Sequence, residues 1–374
     1  MFLAIREMRF AKGRYLLIAT IMVLVAFLVL FVTGLAQGLA YDNAASIKNM
    51  AATHFILEQD SNHRFTRSQV DQNQLQKAAA IVGEENAEPL GVKMATVIPS
   101  GEKEKIDVTL LAVQSKGWMA PKVTNGSSIS EQTKGHVLVD DKMADHGVKI
   151  GTIIEDQASG TKWTVNGFVK NESFSHTPVV FLNKQDWSDL QAQARIRQGI
   201  EPANSTVYNA IAIKDSKEKV KDIQAALPNT EVITKSEAVS AIPGYKEEQG
   251  SLMMMIVFLF VISAFVLAVF FYVITIQKTS QFGILKAIGT RTAYLTRSVA
   301  MQVLVLSVGS LVISVLLVQL FEAVLPSSMP FQLGFFTLLL TCLSFIAMSL
   351  AGSLVSVLKV AKIDALDAIG RVAA

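Results

Sequence analysis

The chain has 374 residues, of which 51% are hydrophobic and only 17% charged, with a formal net charge of +3 and a single cysteine. So small a charge gives no electrostatic footprint for nucleic acid, and one cysteine supplies neither a disulfide framework nor a thiolate metal centre. The apolar residues are concentrated in four runs, which predicts a polytopic α-helical membrane protein with four transmembrane helices and a large extracytoplasmic α+β domain between helices 1 and 2.

In chain order, residues 1–14 form a basic amphipathic segment carrying Arg6, Arg9, Lys12 and Arg14, and 15–41 is the first span, free of Asp, Glu, Lys and Arg. The small residues around Gly38-Leu39-Ala40 resemble a signal-peptide cleavage site. Signal-peptide cores run to about 7–15 residues, however, and this run is far longer, which favours a retained span.

Residues 42–249 are polar and read as one α+β domain or two small lobes outside the membrane. Ile106, Val108 and Leu110 alternate with Asp107, Thr109 and Leu111 in one predicted strand, and Trp163, Val165 and Val169 share a face of another. Val70, Gln74, Leu75, Ala78 and Val82 fit a helix from about Ser68; Val220, Ile223, Ala226 and Leu227 fit a second, between strands at 211–213 and 232–233. Asn125-Gly126 and Asn166-Gly167 are turn candidates.

Asp140, Asp141, Asp145 and His146 are close enough to suggest a metal site, but a short helix capped by Asp140 or Asp141 and ended by Gly147 is the plainer reading, so no metal or catalytic residue is assigned. His54 and His63 read as surface residues. His176 sits in an exposed turn, as a solvated histidine or a ligand to haem or an ion.

The second span, 250–277, opens with Met253, Met254 and Met255, just after Tyr245 and Glu248. Three methionines in a row cannot face one way, so at least one is expected to point at a partner span or a cavity. Thioether, phenol and carboxylate groups suit contact with haem, which makes Tyr41, Tyr245, Glu248, Met253, Met254, Met255 and His176 the candidate substrate residues.

The loop 278–297 contains Phe282-Gly283-Ile284-Leu285-Lys286-Ala287-Ile288-Gly289, a short amphipathic helix with Gly289 placed to end it. Phe282, Leu285 and Ile288 form a stripe expected to press on another protein. Lys278, Lys286, Arg291 and Arg297 surround it without one acid, which places it in the cytoplasm.

A third span (298–321), an external turn (322–332) with Pro326 and Pro330, a fourth span (333–358) holding Cys342 as a packing residue, and a tail (359–374) complete the chain. Basic residues before the first span and after the fourth put both termini in the cytoplasm. The tail reads as a helix capped at Asp364. No Gly-x-x-x-x-Gly-Lys-Ser/Thr occurs, so the chain has no P-loop of its own.

Four spans with a large external insert and the motif at 282–289 resemble the FtsX/MacB class of ABC-transporter permeases, whose loop between spans two and three carries an (I/F)GILKAIG-like coupling helix. The tail Lys362-Ile363-Asp364-Ala365-Leu366-Asp367-Ala368-Ile369-Gly370 is similar to the class's P-x-x-A-L-R ending, with Ile363-Asp364 where proline is usual. Within the class, Met254-Met255-Ile256-Val257, Phe270-Phe271-Tyr272-Val273-Ile274-Thr275-Ile276-Gln277-Lys278 and Gly34-Leu35-Ala36-Gln37-Gly38-Leu39 most resemble haem efflux permeases of the HrtB type.

That resemblance implies a permease subunit of the bacterial cell membrane rather than an enzyme, with no intrinsic cofactor and haem (hemin) as cargo. It implies a separate HrtA-like cytoplasmic ATPase binding ATP and magnesium, docked on residues 282–289 and secondarily on Ile363 and Leu366. It also implies a homodimer of the permease working with two ATPase copies. Two other readings stay open: a MacB-like exporter of antimicrobial peptide or lipid, and an FtsX-like transmitter acting on an external cell-wall hydrolase.

Overall fold

The computed structural model describes residues 12–102, 104–201, 206–214, 219–326 and 329–361. The chain divides into two compact units, one running up to Gly38 and resuming at Gly250, the other comprising Leu39–Gln249.

In the first unit four helices are long and apolar enough to cross a membrane: the first span helix Lys12–Asp42, the second Tyr245–Gln277, the third Thr292–Glu322, and the fourth, Phe335–Ala361, through its part Phe335–Leu354. Their shared core contains Met22, Ala26 and Leu30 from the first, Leu267 and Phe271 from the second, Val303 and Leu306 from the third and Phe345 from the fourth. Lipid offers apolar surface as good as leucine, so close contact inside such a unit depends on small and hydroxyl-bearing residues. The third span supplies them: Ser307, Ser310 and Ser314 are buried, and Ser314 Oγ donates to the first-span carbonyl of Val23 at 2.9 Å.

Gly34 and Gly38 do the same work at the end of the first span, where the segment linking spans three and four lies directly on them. A Cβ on Gly34 would run into the Phe331 ring, and one on Gly38 into the Pro330 carbonyl and, at 2.7 Å, the Phe331 nitrogen. The Gln332 N–H donates to the Gly34 carbonyl at 3.1 Å, and Thr337 Oγ1 donates to Gln37 Oε1 at 2.9 Å. Phe331 stacks on Phe31 with ring centroids 5.6 Å apart.

The second unit is built on one 11-stranded mixed sheet. Its strands are β1 (His54–Glu58), β2 (Ala87–Pro99), β3 (Ile106–Ala112), β4 (Val123–Gly126), β5 (His136–Asp140), β6 (Ile153–Asp156), β7 (Lys162–Val169), β8 (Ser173–Phe174), β9 (Thr177–Leu182), β10 (Ala210–Ile213) and β11 (Thr230–Thr234). The order is β11-β1-β10-β2-β3-β9-β5-β7-β4, with β6 on β2 and β7 and β8 on β9. The 13-residue β2 joins the halves, pairing β10 along its first part and β3 and β6 along its second.

Both faces of the sheet carry an apolar core, as strand alternation requires when neither is left to water. One is covered by α2 (Gln72–Val82), α3 (Lys184–Arg197) and α4 (Val220–Ala226), which pack Leu75, Ala78, Trp187, Leu190 and Ile223 with Ile56, Leu110 and Trp163. The other takes Phe55, Leu57, Leu111 and Phe181, under α1 (Ala45–Asn49) and α5 (Lys235–Ser240) through Ile47, Ala238 and Val239.

Four expectations shift here. The helix α2 starts at Gln72, capped by a reciprocal Asp71–Gln74 box, while Val70 is withdrawn into a bridge with Tyr208. Asn166-Gly167 is no turn: it lies inside β7 at a bulge against β5, where Val165 faces Val137 but Gly167 faces Leu138. That extra residue flips the parity, so Trp163 and Val165 point into one core and Val169 into the other. His54 is buried rather than on the surface, because β1 is flanked on both sides, His54 lying between Ile213 of β10 and Thr234 of β11. His63 is half-buried and pairs with Glu231 at 3.3 Å.

Candidate functional site

Where the chain passes into the Leu39–Gln249 unit and where it leaves, its side chains converge on one polar knot. Asp42 receives the Lys142 ammonium and the Ser173 hydroxyl, the latter at 2.8 Å. His176, held at φ 62° in the turn between β8 and β9, lies with Nδ1 3.4 Å from Asp42 and Nε2 3.0 Å from Glu248. With a carboxylate at each nitrogen, only the doubly protonated ring donates to both. Asn43 Nδ2 donates to the same Glu248 oxygen at 2.6 Å, and its carbonyl accepts the Ser175 N–H at 2.8 Å, which fixes the turn.

A second layer continues the knot. The Tyr41 hydroxyl donates to Asn49 at 2.6 Å; the Lys48 ammonium donates to the Ala40 carbonyl at 2.9 Å and stands 5.7 Å and 5.3 Å from the Tyr41 and Tyr245 ring centres. Burial holds the Lys48 ammonium below the usual lysine range. Asn49 donates to Glu172 at 3.2 Å, and the Glu172 N–H donates to Asp140 at 2.7 Å. Burial pushes Glu172 up to about 7 and Asp140 up to about 6.

Of the candidate substrate residues, Tyr41, Tyr245, His176 and Glu248 thus belong to one network. Asn43, Lys142 and Ser173, which hold it together, carry no periodicity or motif that a reading of the chain could have used. Met253, Met254 and Met255 lie in the membrane unit, where all three are exposed. The Asp140 region is a 3-10 turn, Asp141–His146, in which Asp140 caps Lys142 and Gly147 stops the turn at φ 78°, while His146 pairs with Glu104 at 2.9 Å. Among the described residues no group of three or more His, Cys, Asp or Glu is arranged to hold a metal ion.

The amphipathic segment is a helix, Thr279–Ala287. Gly289 at φ 93° ends it, with the Gly289 N–H on the Lys286 carbonyl at 2.9 Å and the Thr290 N–H on the Leu285 carbonyl at 3.0 Å, the paired bonds of a Schellman stop. Its buried and exposed faces differ from expectation. Phe282 is 1% exposed, packed with Leu295 and Val299 of the third span and partly with Leu285. The outward stripe is instead Gln281, Ile284 and Ile288, with Ile284 47% and Ile288 75% exposed. Both sets fall at helical spacing, and the nearby third span takes the larger aromatic. Beside Phe282, Lys278 is buried and donates to the Tyr15 hydroxyl at 2.5 Å, which donates to Gln302 at 2.7 Å, tying spans one, two and three. Ile363 and Leu366, expected as a second contact, lie outside the described residues.

Over 368 residues, 98% of this chain and 99% of the relative, the sequence is 31% identical to a protein named as the putative hemin transport system permease HrtB of Staphylococcus haemolyticus. The chain belongs to the HrtB family of permeases. The HrtB of Staphylococcus epidermidis is 30% identical over the same length, again 98% of this chain and 99% of the relative. Residues 253–365 match the FtsX-like permease C-terminal family, so this HrtB-family chain is a transporter subunit by descent rather than an enzyme, and a multi-pass membrane protein. The extracellular domain of the ABC-type transporter YknZ aligns to 49% of the chain and 100% of its own at TM-score 0.35 and 15% identity. The periplasmic region of MacB from Actinobacillus actinomycetemcomitans covers 53% of this chain and 94% of its own at TM-score 0.36 and 12% identity.

Proposed function

We propose that this chain is the membrane subunit of an efflux pump that moves haem (hemin) out of the bilayer, driven by ATP hydrolysis in a separate HrtA-like cytoplasmic ATPase. The observation that carries the reading is similarity to HrtB proteins along almost the whole chain, outer domain included. Two permease and two ATPase subunits would assemble about a two-fold axis. The basic residues Arg6, Arg9, Lys12, Arg14, Lys286, Arg291 and Arg297 support cytoplasmic termini and a cytoplasmic loop, with Leu39–Gln249 outside.

Haem, a flat apolar ring with two carboxylates, would partition into the bilayer and reach the pump laterally, between the first span of one protomer and the second of its partner. Met253, Met254 and Met255 supply soft, pliable contacts for the ring. Tyr41, Tyr245, Glu248 and His176, with the Lys48 ammonium, supply polar partners for the propionates. ATP-driven closure of the partner pair would act through Ile284 and Ile288 and tilt the spans, squeezing the site outward; Ile363 and Leu366 would add a second ATPase contact.

The test is a haemin titration of the purified full-length protein followed by Soret absorbance. A saturable shift near one haem per chain is expected, lost in a variant carrying Tyr41→Phe and Leu at Met253, Met254 and Met255. A shift that never saturates, or none, would instead support the exporter of peptide or lipid or the transmitter to a cell-wall hydrolase.

A further inference from the structure

Lys278 is the one residue between the second span helix, Tyr245–Gln277, and the helix Thr279–Ala287, and it takes part in both. Its N–H is shared between the Ile274 and Thr275 carbonyls of the span at 3.2 Å each, and its own carbonyl accepts the Phe282 N–H of the shorter helix at 3.0 Å. The backbone joins the two helices through the two dihedrals of Lys278, φ −99° and ψ 3°, and such a joint can swing.

The side chain opposes that swing. The buried ammonium donates to the Tyr15 hydroxyl of the first span at 2.5 Å and stands 5.0 Å from the centre of the same ring, and the hydroxyl donates onward to Gln302 Oε1 of the third span at 2.7 Å. Four residues after Lys278, Phe282 packs on Leu295 and Val299 of that third span. The short helix is therefore held at two points, to the first span by Lys278 and to the third by Phe282, while Gln281, Ile284 and Ile288 stay exposed. A buried ammonium is not needed merely to fill this space. An apolar side chain there would avoid the desolvation of a charge, and replacements of that kind are often neutral or stabilising. What the ammonium adds is a short, charge-assisted bond to one atom of another span, which fixes direction as well as position.

We propose that Lys278 is a positioning residue for the pump: through Tyr15 and Gln302 it locks the helix Thr279–Ala287 to the first and third spans, so that a push on the exposed stripe moves the spans instead of swinging the helix about its joint. The proposal rests on the docking of an ATPase at Ile284 and Ile288 and does not depend on the cargo.

The experiment has two arms. In the first, the full-length protein in lipid nanodiscs, in a Cys342→Ala background, carries spin labels at Gln281→Cys and Leu24→Cys, both exposed positions, and double electron–electron resonance reads the spread of distances between them. Lys278→Met and Tyr15→Phe should each broaden that spread about twofold while leaving the thermal melting point in place, and Lys278→Arg, which keeps a cationic donor, should hold it narrow. In the second arm, the permease–ATPase complex is placed in proteoliposomes: Lys278→Met should keep the ATPase bound and hydrolysing while haemin export per ATP falls about tenfold, and Lys278→Arg should export as the parent does. A spread as narrow as the parent's in both Lys278→Met and Tyr15→Phe, a melting point lowered in both, or unchanged export per ATP would overturn the proposal. Failure of the functional reading looks different: the parent itself binds no ATPase or exports no haemin, and the distances of the first arm then decide whether the lock exists.

Discussion

Glu172 makes the polar knot sensitive to pH. Its carboxyl is pushed up to about 7 and that of Asp140 to about 6, from ordinary values of 4.5 and 3.8. A raised folded value means that folding takes up protons, so this contribution to stability is fully present below about pH 4 and is lost as pH climbs through 6 to 7. Glu172→Gln keeps an oxygen for Asn49 and carries no charge. The variant should therefore melt at higher temperature than the parent at pH 8, by on the order of 2–3 kcal/mol, and the gap should shrink towards pH 5. Thermal unfolding of both proteins at the two pH values measures it; an equal gap at both would refute the assignment. His176, between Asp42 and Glu248, is the residue whose neighbours the sequence hid best, since they lie 134 and 72 positions away.

Among elements, the helix Thr279–Ala287 has a buried face at Phe282 and an exposed one at Ile284 and Ile288, and the proposed docking uses the exposed one. Phe282→Ala should lower stability by about 3–5 kcal/mol, the usual result of emptying a buried aromatic site, and thermal unfolding would register it. Ile284→Asp with Ile288→Asp should leave the melting point nearly unchanged, within about 0.5 kcal/mol. The same variant should lose copurification of an ATPase partner and all transport; retained transport would remove the docking role from this stripe. Gly34→Ala and Gly38→Ala test the strap formed by Pro330 and Phe331. Each forces a methyl into packed atoms and should destabilise by about 1–3 kcal/mol, more at Gly38, where the obstacle is backbone, as read from melting in detergent.

What was legible at this scale follows from where the information lies. The spans announce themselves because a charge-free run of that length has few other uses. The end of the helix Thr279–Ala287 was readable because Gly289 is a local signal. Which stripe turns inward was not, since Leu295 and Val299, further along the chain, decide it. The bulge in β7 and the burial of His54 were hidden for the same reason: each depends on partner strands remote in sequence.

For the whole molecule, membership of the HrtB family and the division into a unit of four apolar helices and a unit built on one sheet are the firm points, and haem binding by the full-length chain is the decisive expectation. The Leu39–Gln249 unit has a further property set by its strand order. Its first and last strands are neighbours, His54 opposite Thr234 and Glu58 opposite Thr230, so the chain comes in and goes out at the same end of one antiparallel ladder. A pull that spread those two ends would load the ladder one rung at a time, the geometry of a zipper, in which no rung shares the load with the next. What stands ahead of the first rung is a clasp: the Lys235 ammonium donates to the Lys48 and Met50 carbonyls at 3.2 Å and 2.6 Å, and its N–H to the Thr53 carbonyl at 3.0 Å. Separation of the two chain ends therefore meets first the Asn43–Glu248 bond of the polar knot and then the Lys235 clasp, and only after both does the first rung of the ladder take the load.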